Sequence, residues 1–292
     1  MTLPPAWQLR DTRLPLDHPV VMGILNVTPD SFSDGGRYLA PSAAVEHAVR
    51  MVSEGAEVLD VGGESTRPFT EPIDAAEERA RIIPVIRALR RELPDTPICV
   101  DTVKVDVAAA ALDAGVHAIN DVSAFRIEPA LAGLCAESGC GVVLMHSRGS
   151  VADMATFDHA NYGGDPVGEV LAELREQVDI AERAGVRRSC IVVDPGVGFA
   201  KRGEHSLAVL GGLPRMTAWG YPVLVGVSRK RVIGEITGVT RAEERVEGTV
   251  GANVAALALG ARLFRVHDVR AARQSLDAAW AVLRAGEGRQ VA

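Results

Sequence analysis

The sequence has few aromatic residues and no cysteine pair of the C-x-x-C kind. Only 4% of its 292 residues are aromatic, whereas 47% are hydrophobic, so aliphatic side chains and alanine must fill the interior. The isolated cysteines disfavour structural zinc and favour buried, reduced thiols. They are Cys99, Cys135, Cys140 and Cys190.

The chain also lacks an excess of positive charge and a long apolar segment. The net charge of −7 disfavours a nucleic-acid partner or an acidic membrane surface, because both require an extended basic face. No apolar run approaches the roughly 20 residues of a membrane span, and the N-terminus does not resemble a signal peptide. We therefore expect a soluble, cytoplasmic protein.

Short β-branched runs recur along the chain, and each is followed by a longer amphipathic stretch. Short, uninterrupted apolar runs are typical of parallel strands that are covered by other structure on both faces. The predicted strands are 20–26, 57–62, 98–102, 117–122, 141–146, 190–194, 222–228 and 262–267.

The stretches between these runs have helical patterns. Apolar residues in 42–53 recur at helical spacing, and Asp74 with Glu77 forms a capping-box pattern at the next helix. Pro84 lies inside that helix and is predicted to kink it or to start a second piece. Asp268 is predicted to cap the last helix.

Eight strand-then-helix units without a long linker predict a single (β/α)8 TIM barrel, an eight-stranded parallel barrel with outer helices. We expect one domain over residues 1–292, with a core at about 18–286. The alternative is an open doubly wound sheet. The eight regular units and the absence of a G-x-G-x-x-G turn after the first strand disfavour it.

Positively charged residues follow several of the predicted strands. Active sites of such barrels lie at the carboxyl ends of the strands, so we expect these residues to meet on one rim. In an acidic protein their convergence indicates an anionic ligand, most naturally phosphate or diphosphate. They are Arg67, Lys230, Arg265 and His267.

Asp101, Asn120 and Asp194 end the third, fourth and sixth strands. They form an acceptor-rich pocket that suits a flat heterocycle with N–H and amino donors on its edge. Carboxylates and amides also bind Mg²⁺, so a metal site is the alternative. We favour the heterocycle for these three residues and regard Asn26 as the better metal candidate.

The loop after the first strand, from Thr28 to Gly36, is rich in glycine and small polar residues. Such a loop over an active site often acts as a lid. Phe32 is its one large apolar residue, and it packs either on the ligand or into the barrel as an anchor.

Eight ordered sequence blocks resemble the signatures of the dihydropteroate synthase family, from about residue 20 to the last helix. The blocks are NVTPDSFSDGG at 26–36, DVGGESTRP at 60–68, VDT at 100–102, IND at 119–121, LMH at 144–146, VVDPGVGFAK at 192–201, VGVSRK at 225–230 and FRVHDV at 264–269.

The resemblance implies a transferase of folate biosynthesis that is a target of sulfonamides. The enzyme would join 6-hydroxymethyl-7,8-dihydropterin diphosphate to p-aminobenzoate, with Mg²⁺ as cofactor, and would release 7,8-dihydropteroate and pyrophosphate. It implies small-molecule partners and a homodimer that forms through C-terminal helices.

The resemblance also implies residue roles. The pterin would be bound by Asp101, Asn120, Asp194 and Lys230, with Met145, Phe199 and Gly226 as walls. The diphosphate would be bound by Asn26, Thr66, Arg67, Arg265 and His267, and Asn26 would also bind the metal. The p-aminobenzoate slot would comprise Phe32, Thr66, Pro68, Phe199, Lys230 and Arg231. The catalytic set would be Asp101, Lys230, Arg67, Arg265 and His267.

Three positions depart from the family pattern: Phe69, Val103 and Arg231. Arg231 either adds a charge near the p-aminobenzoate carboxylate or points to solvent. Because no insertion separates Phe32 from Gly36, we expect sulfonamides to inhibit. Two other functions stay open. One is a pterin-binding methyltransferase, which needs no residues to bind a diphosphate. The other is a paralogue that binds its ligand without turnover.

Overall fold

The computed structural model describes residues 4–28, 40–64 and 71–286, and its parallel strands curl into a barrel. A short antiparallel hairpin, β1 (Ala6–Gln8) and β2 (Arg13–Pro15), precedes them. The barrel strands are β3 (Val20–Asn26), β4 (Val58–Gly62), β5 (Ile98–Asp101), β6 (Ala118–Asp121), β7 (Gly141–Met145), β8 (Ile191–Asp194), β9 (Leu224–Val225) and β10 (Leu263–Val266).

The barrel closes between β8 and β9, the strands at the two ends of the sheet order. The strand order is β8-β7-β6-β5-β4-β3-β10-β9, and a parallel bridge between Val193 and Val223 joins the two ends. The predicted (β/α)8 barrel is confirmed. The predicted strand at 222–228 is much shorter, because regular pairing with β10 involves only Leu224 and Val225.

Helices surround the barrel between successive strands. They are α1 (Ala40–Ser53), α2 (Ala75–Glu92), α3 (Val105–Asp113), α4 (Ala130–Ser138), α5 (Pro166–Arg183), α6 (Gly203–Gly211), α7 (Leu213–Thr217), α8 (Arg231–Thr237), α9 (Val246–Ala258) and α10 (Val269–Gly286). Within the described ranges, no helix combines the length and hydropathy that a membrane crossing requires.

Pro84 does not divide its helix, so of the two predicted effects the second piece is wrong, and the kink stays a prediction. One helix, α2, continues through Pro84, and Val85, Ile86 and Leu89 beyond it are fully buried. Burial of these side chains outweighs the backbone hydrogen bond that a proline cannot donate. Asp74 accepts a hydrogen bond from Glu77 N at 2.8 Å, as the capping pattern predicts.

The inside of the barrel is a layer of small and medium apolar side chains. The layer contains Met22, Val58, Cys99, Ala118, Val143, Val192, Leu224 and Leu263. Trp7 and Leu9 from the N-terminal hairpin pack in the same cluster, and Trp7 Nε1 donates to Cys190 O at 2.7 Å. The sequence pattern does not predict this hairpin. All four cysteines are buried and unpaired, as expected.

Candidate active site

Apart from Ile24, seven positions follow the residues of the interior layer by two along the chain. Because successive strand residues point to opposite faces, these positions also face inward, one step nearer the carboxyl end. They are Asp60, Asp101, Asn120, Met145, Asp194, Gly226 and Arg265. Barrel closure thereby brings together polar groups that are as many as 205 residues apart in sequence.

Arg265 lies between two carboxylates on this surface. Its Nε donates to Asp60 Oδ2 at 2.5 Å, and its Nη2 donates to Asp101 Oδ2 at 2.8 Å. Asp60 Oδ2 also accepts from Asn120 Nδ2 at 3.0 Å. Since a carboxylate only accepts, this contact turns the Asn120 amino group toward Asp60. The Asn120 carbonyl oxygen is then the amide's remaining acceptor.

Asp60 is not among the predicted site residues, although it contacts two of them. Its side chain is fully buried in the middle of β4. The signal that could have found it is the single acid inside the apolar run 58–62. Acids are almost never fully buried without a partner, so an acid there predicts a specific contact across the barrel.

Two carboxyl groups of this surface, those of Asp101 and Asp194, have raised pKa values. Burial raises the pKa of Asp101 to about 7, although the Arg265 guanidinium opposes the shift. Burial also raises the pKa of Asp194, against the opposing effects of Lys230 and Arg265. Asp101 can therefore accept or donate a proton near neutral pH, which suits recognition of a protonatable ring nitrogen.

Lys230 lies between the loops that follow β8 and β9. Its Nζ donates to Val197 O at 2.5 Å and lies 4.4 Å from the centroid of the Phe199 ring. Burial lowers the pKa of Lys230 to about 8, while the nearby Asp194 carboxylate opposes the shift. Gly198 permits this approach, because a Cβ there would lie 3.3 Å from Lys230 Cδ.

Apolar groups line one side of the same surface. Met145 packs with Val103, Val122 and Met154, and Phe199 lies against this cluster. An apolar wall beside a few convergent polar groups is the usual character of a small-molecule site.

Gly226 leaves room between two polar residues of the floor. A Cβ on Gly226 would lie 3.8 Å from Arg265 Cβ and 3.9 Å from Asp194 Oδ2. A larger side chain would extend from that point into the space between them. The missing side chain therefore keeps the floor of the site accessible to a flat ligand.

Two polar pairs join the loops after β9 and β10. Ser228 Oγ lies 3.0 Å from His267 Nδ1 and accepts from His267 N at 3.1 Å. Arg229 donates to both oxygens of Asp268, at 2.9 and 2.5 Å. Arg229 also has a φ of 59°, which is uncommon for a residue with a side chain. These contacts set the relative position of Lys230 and His267.

Asn26 ends β3, and Gly62 of β4 lies between it and Asp101 of β5. Asn26 Oδ1 and Asp101 Oδ2 lie 3.7 and 3.9 Å from the point that a Cβ on Gly62 would occupy. Amide and carboxylate oxygens are ligands that Mg²⁺ accepts, usually together with phosphate oxygens and water. The donor types at this position therefore fit the predicted metal.

Comparison with known proteins identifies the family. Residues 22–267 match the family model described as pterin binding enzyme. The dihydropteroate synthase of Mycobacterium leprae is 47% identical over 271 residues, which cover 91% of this chain and 94% of that sequence. The chain belongs to the dihydropteroate synthase family.

Solved structures of dihydropteroate synthases share the fold. The Xanthomonas albilineans enzyme with 4-aminobenzoic acid has a TM-score of 0.88 and 43% identity, over 98% of this chain and 99% of that chain. The Thermus thermophilus enzyme in complex with 6HMPPP has a TM-score of 0.81 and 43% identity, over 95% and 99%. The family predicted from the sequence blocks is confirmed over nearly the whole chain.

Four residues that the dihydropteroate synthase pattern assigns to ligands lie outside the described residues. They are Phe32 in the first loop and Thr66, Arg67 and Pro68 in the second. Their roles stay predictions.

Arg231, predicted at the p-aminobenzoate slot, begins α8 and makes two contacts. Its guanidinium carbon lies 3.8 Å from the Phe157 ring centroid, and its Nε lies 3.6 Å from Glu235 Oε1. Its side chain is about half exposed. Stacking on Phe157 holds the charge near the rim, and contact with a substrate carboxylate stays a prediction.

Proposed function

We infer that the chain condenses 6-hydroxymethyl-7,8-dihydropterin diphosphate with p-aminobenzoate and releases pyrophosphate. One observation carries this function beyond family membership: acceptor groups and cations from separate strands converge at one end of the barrel. They are Asp101, Asn120, Asp194, Lys230, Arg265 and His267. The acceptors suit the pterin edge, and the cations suit the diphosphate.

The acceptor groups would bind and orient the pterin. Asp101 and Asp194 accept hydrogen bonds from ring N–H and amino groups when ionised, and the Asn120 carbonyl oxygen adds a third acceptor. Met145 and Phe199 would cover the ring faces. Lys230, next to Asp194, would donate to the oxo and ring-nitrogen acceptors of the same ring.

The reaction breaks the bond between the pterin methylene carbon and the diphosphate oxygen. The bonding electrons leave with the oxygen, and the positive charge that develops on the methylene is delocalised into the pterin ring. The p-aminobenzoate nitrogen then bonds to the carbon and loses a proton. Protein side chains need not form a covalent bond, so the site has only to bind, orient and stabilise charge.

Arg265 and His267 would stabilise the departing diphosphate, together with Arg67 from the second loop. Preorganised positive charge at a leaving group lowers the barrier, because it interacts more strongly as negative charge accumulates. Asp60 holds the Nε side of Arg265, so the guanidinium does not have to reorganise. A bound Mg²⁺, held by Asn26, would supply further positive charge to the diphosphate oxygens.

Pyrophosphate release in the presence of both substrates tests this function. We expect release that depends on p-aminobenzoate and that is nearly abolished in Lys230→Ala, because Lys230 would contact both substrates. A methyltransferase or a non-catalytic binding protein would release none. The convergence of Lys230, Arg265 and His267 favours the synthase over the methyltransferase, in which no diphosphate leaves.

We also propose that sulfonamides inhibit by occupying the p-aminobenzoate slot beside Phe199 and Lys230. The two sulfonamide oxygens and the arylamine mimic the shape of p-aminobenzoate. Inhibition should be competitive with p-aminobenzoate and should disappear when that substrate is saturating. Full activity in saturating sulfonamide, without excess p-aminobenzoate, would exclude this proposal.

A homodimer in the cytoplasm is the proposed state of the protein. An apolar groove between α9 and α10 supports the dimer, and Val282 on α10 is 73% exposed there. Four buried, free cysteines are consistent with a reducing compartment. Cell fractionation would test the location, and the mass in solution would test the dimer.

A further inference from the structure

Lys201 is a buried cation in the loop between β8 and α6. It is 1% exposed. Its Nζ donates to His146 Nδ1 at 2.7 Å and to the carbonyl oxygens of Gly196 and Phe199, both at 3.1 Å. An ammonium has three hydrogens, whereas a neutral amine has two. Three acceptors therefore favour the charged form, although burial lowers the pKa of Lys201.

His146 connects Lys201 to an acidic residue on α5. Burial and the neighbouring Lys201 lower the pKa of His146 to about 4, so its imidazole is neutral at physiological pH. Because Nδ1 accepts from Lys201, the imidazole hydrogen is on Nε2 and is donated to Glu173 Oε2 at 3.1 Å. Arg148 Nε donates to the same Glu173 oxygen at 3.0 Å.

The loop held by Lys201 carries two of the predicted ligand-binding residues. Asp194 ends β8, and its Oδ1 accepts from Gly196 N at 2.7 Å. Phe199 belongs to the apolar wall. The two carbonyl oxygens bound by Lys201 lie at either end of the turn from Gly196 to Phe199, so one ammonium restrains both ends.

The loop also approaches the end of β7 too closely for a side chain. Gly196 has a φ of 66°, and a Cβ there would lie 1.9 Å from His146 O. Position 196 therefore requires glycine. This approach places the loop carbonyls within reach of a lysine that is bound to the His146 ring.

We propose that Lys201, held by His146 and Glu173, is a positioning residue that fixes the loop after β8 so that Asp194 and Phe199 face the pterin. This inference rests on the proposed function. Lys201 does not itself contact the ligand surface, because its three donors are directed at His146 and at the loop carbonyls. No role follows for Lys201 from the sequence, although it ends the block 192–201.

The positive charge of Lys201 has a second effect, on Asp194. Four charged groups face Lys201. Asp194 and Glu173 stabilise its positive charge, whereas Lys230 and Arg148 destabilise it. The cations that lower the pKa of Asp194 are Lys230, Arg265 and Lys201. Removal of the Lys201 charge should therefore raise the pKa of Asp194 further and favour its neutral form.

Lys201→Met keeps most of the length of the side chain but removes its charge and donors. We expect this variant to bind 6-hydroxymethyl-7,8-dihydropterin, without diphosphate, at least about 10-fold more weakly, a loss of about 1.4 kcal/mol. The loss of pterin affinity at low pH should begin at a higher pH in this variant, because Asp194 is protonated more easily. The Michaelis constant for p-aminobenzoate should rise as Phe199 moves.

Leu276→Ala is the matched control, since Leu276 is fully buried on α10. It should lower the melting temperature but leave pterin affinity within about twofold and its pH profile unchanged. A folded Lys201→Met protein with wild-type pterin affinity and pH profile would overturn the inference. Failure of the wild-type protein to bind pterin would instead overturn the proposed function.

A second pair of variants tests the same contact if Lys201→Met does not fold. His146→Leu removes the acceptor for Lys201, whereas His146→Asn keeps an oxygen near the position of Nδ1. We expect His146→Leu to weaken pterin binding about 10-fold and His146→Asn to restore most of the loss. Equal affinities in these two variants would contradict a positioning role for Lys201.

Discussion

Asp101 combines a buried carboxyl group with a charged partner. Its contact with Arg265 Nη2 favours the ionised form, but burial has the larger effect and raises its pKa to about 7. The folded protein therefore binds a proton at Asp101 more tightly than the unfolded chain, whose carboxyl has the ordinary value of 3.8. We propose that the site retains this group, although it is costly to ionise at neutral pH, because the pterin requires an acceptor there.

The pH dependence of stability should show this cost. A raised pKa in the folded state means that the stabilising effect of Asp101 is fully present below about pH 4 and is lost as the pH rises through 7. Asp101→Asn should therefore become more stable relative to wild type by about 1–3 kcal/mol between pH 4 and pH 8. Urea unfolding of both proteins across this range measures the difference.

Asp113→Asn is the control for this experiment, because Asp113 is exposed at the end of α3. Its stability relative to wild type should stay nearly constant with pH. Asp101→Asn should also lose pterin affinity, since an amide presents one acceptor where the carboxylate presents two. A constant stability difference for Asp101→Asn would mean that Asp101 is ionised as readily in the folded protein as in the unfolded chain.

Arg265 contacts two acidic neighbours, Asp60 and Asp101. We propose that it also contacts the diphosphate. Arg265→Ala should weaken binding of the pterin diphosphate about 100-fold, because a charged contact to phosphate is lost. Binding of the pterin without diphosphate should fall much less, through the altered Asp101 and Asp194. Calorimetric titration with both ligands measures the two losses, and equal losses would remove Arg265 from the diphosphate site.

At the scale of elements, the loop from β8 to α6 is constrained by several contacts. It is held by the Gly196 approach to β7, by the Lys201 hydrogen bonds and by a bond from Ala200 N to Met154 O at 2.6 Å. Loops over barrel ends generally carry function because the strands beneath them are rigid. Here these contacts restrain the loop itself as well as the strands beneath it.

A methyl group at position 196 should disrupt this loop. Gly196→Ala places a Cβ against His146 O and forces a left-handed conformation on a residue with a side chain. We expect a loss of about 2–4 kcal/mol in unfolding free energy and at least a 10-fold loss in pterin affinity. Chemical unfolding and calorimetry measure these two quantities.

Gly133→Ala is the matched substitution, because Gly133 lies inside α4 and nothing lies within 4 Å of the added Cβ. Alanine is favoured over glycine in a helix, so this variant should gain about 0.5–1 kcal/mol. If Gly196→Ala behaved like Gly133→Ala, the close approach of the loop to β7 would not constrain the site.

At the scale of the whole molecule, α9 and α10 present an apolar groove on the outside of the barrel. Its lining is Val254, Ala258, Ser275, Ala278, Ala279, Val282 and Leu283. Small side chains on both helices permit close approach of another surface. Exposed apolar patches of this kind usually mark protein–protein contacts.

A charge in this groove should separate the proposed dimer. Val282→Glu places a carboxylate where the dimer would bury it unpaired, so we expect dissociation at micromolar concentration with little change in monomer stability. Sedimentation velocity measures the change. Leu207→Glu is the control, because Leu207 on α6 is also exposed. This variant should still sediment as a dimer. A dimer that survives Val282→Glu would place the interface elsewhere.

The barrel could be predicted from local patterns because a strand and its following helix are encoded within about 30 residues. The strands at 20–26 and 141–146 agree with β3 and β7 to within one residue. The polar residues at strand ends were also visible locally, since an acid or arginine after an apolar run is conspicuous. The sequence by itself therefore determined the fold class and most of the chemical groups at the rim.

Tertiary structure alone decided which of these groups pair. Asp60 with Arg265 and Lys201 with His146 are contacts between distant segments, and they exist only after the barrel closes and excludes water. The hairpin that places Trp7 beneath the barrel is equally non-local. Burial sets the raised pKa of Asp101 and the lowered pKa of Lys230, because the energy of a charge depends on everything packed around it, whichever part of the chain supplies it.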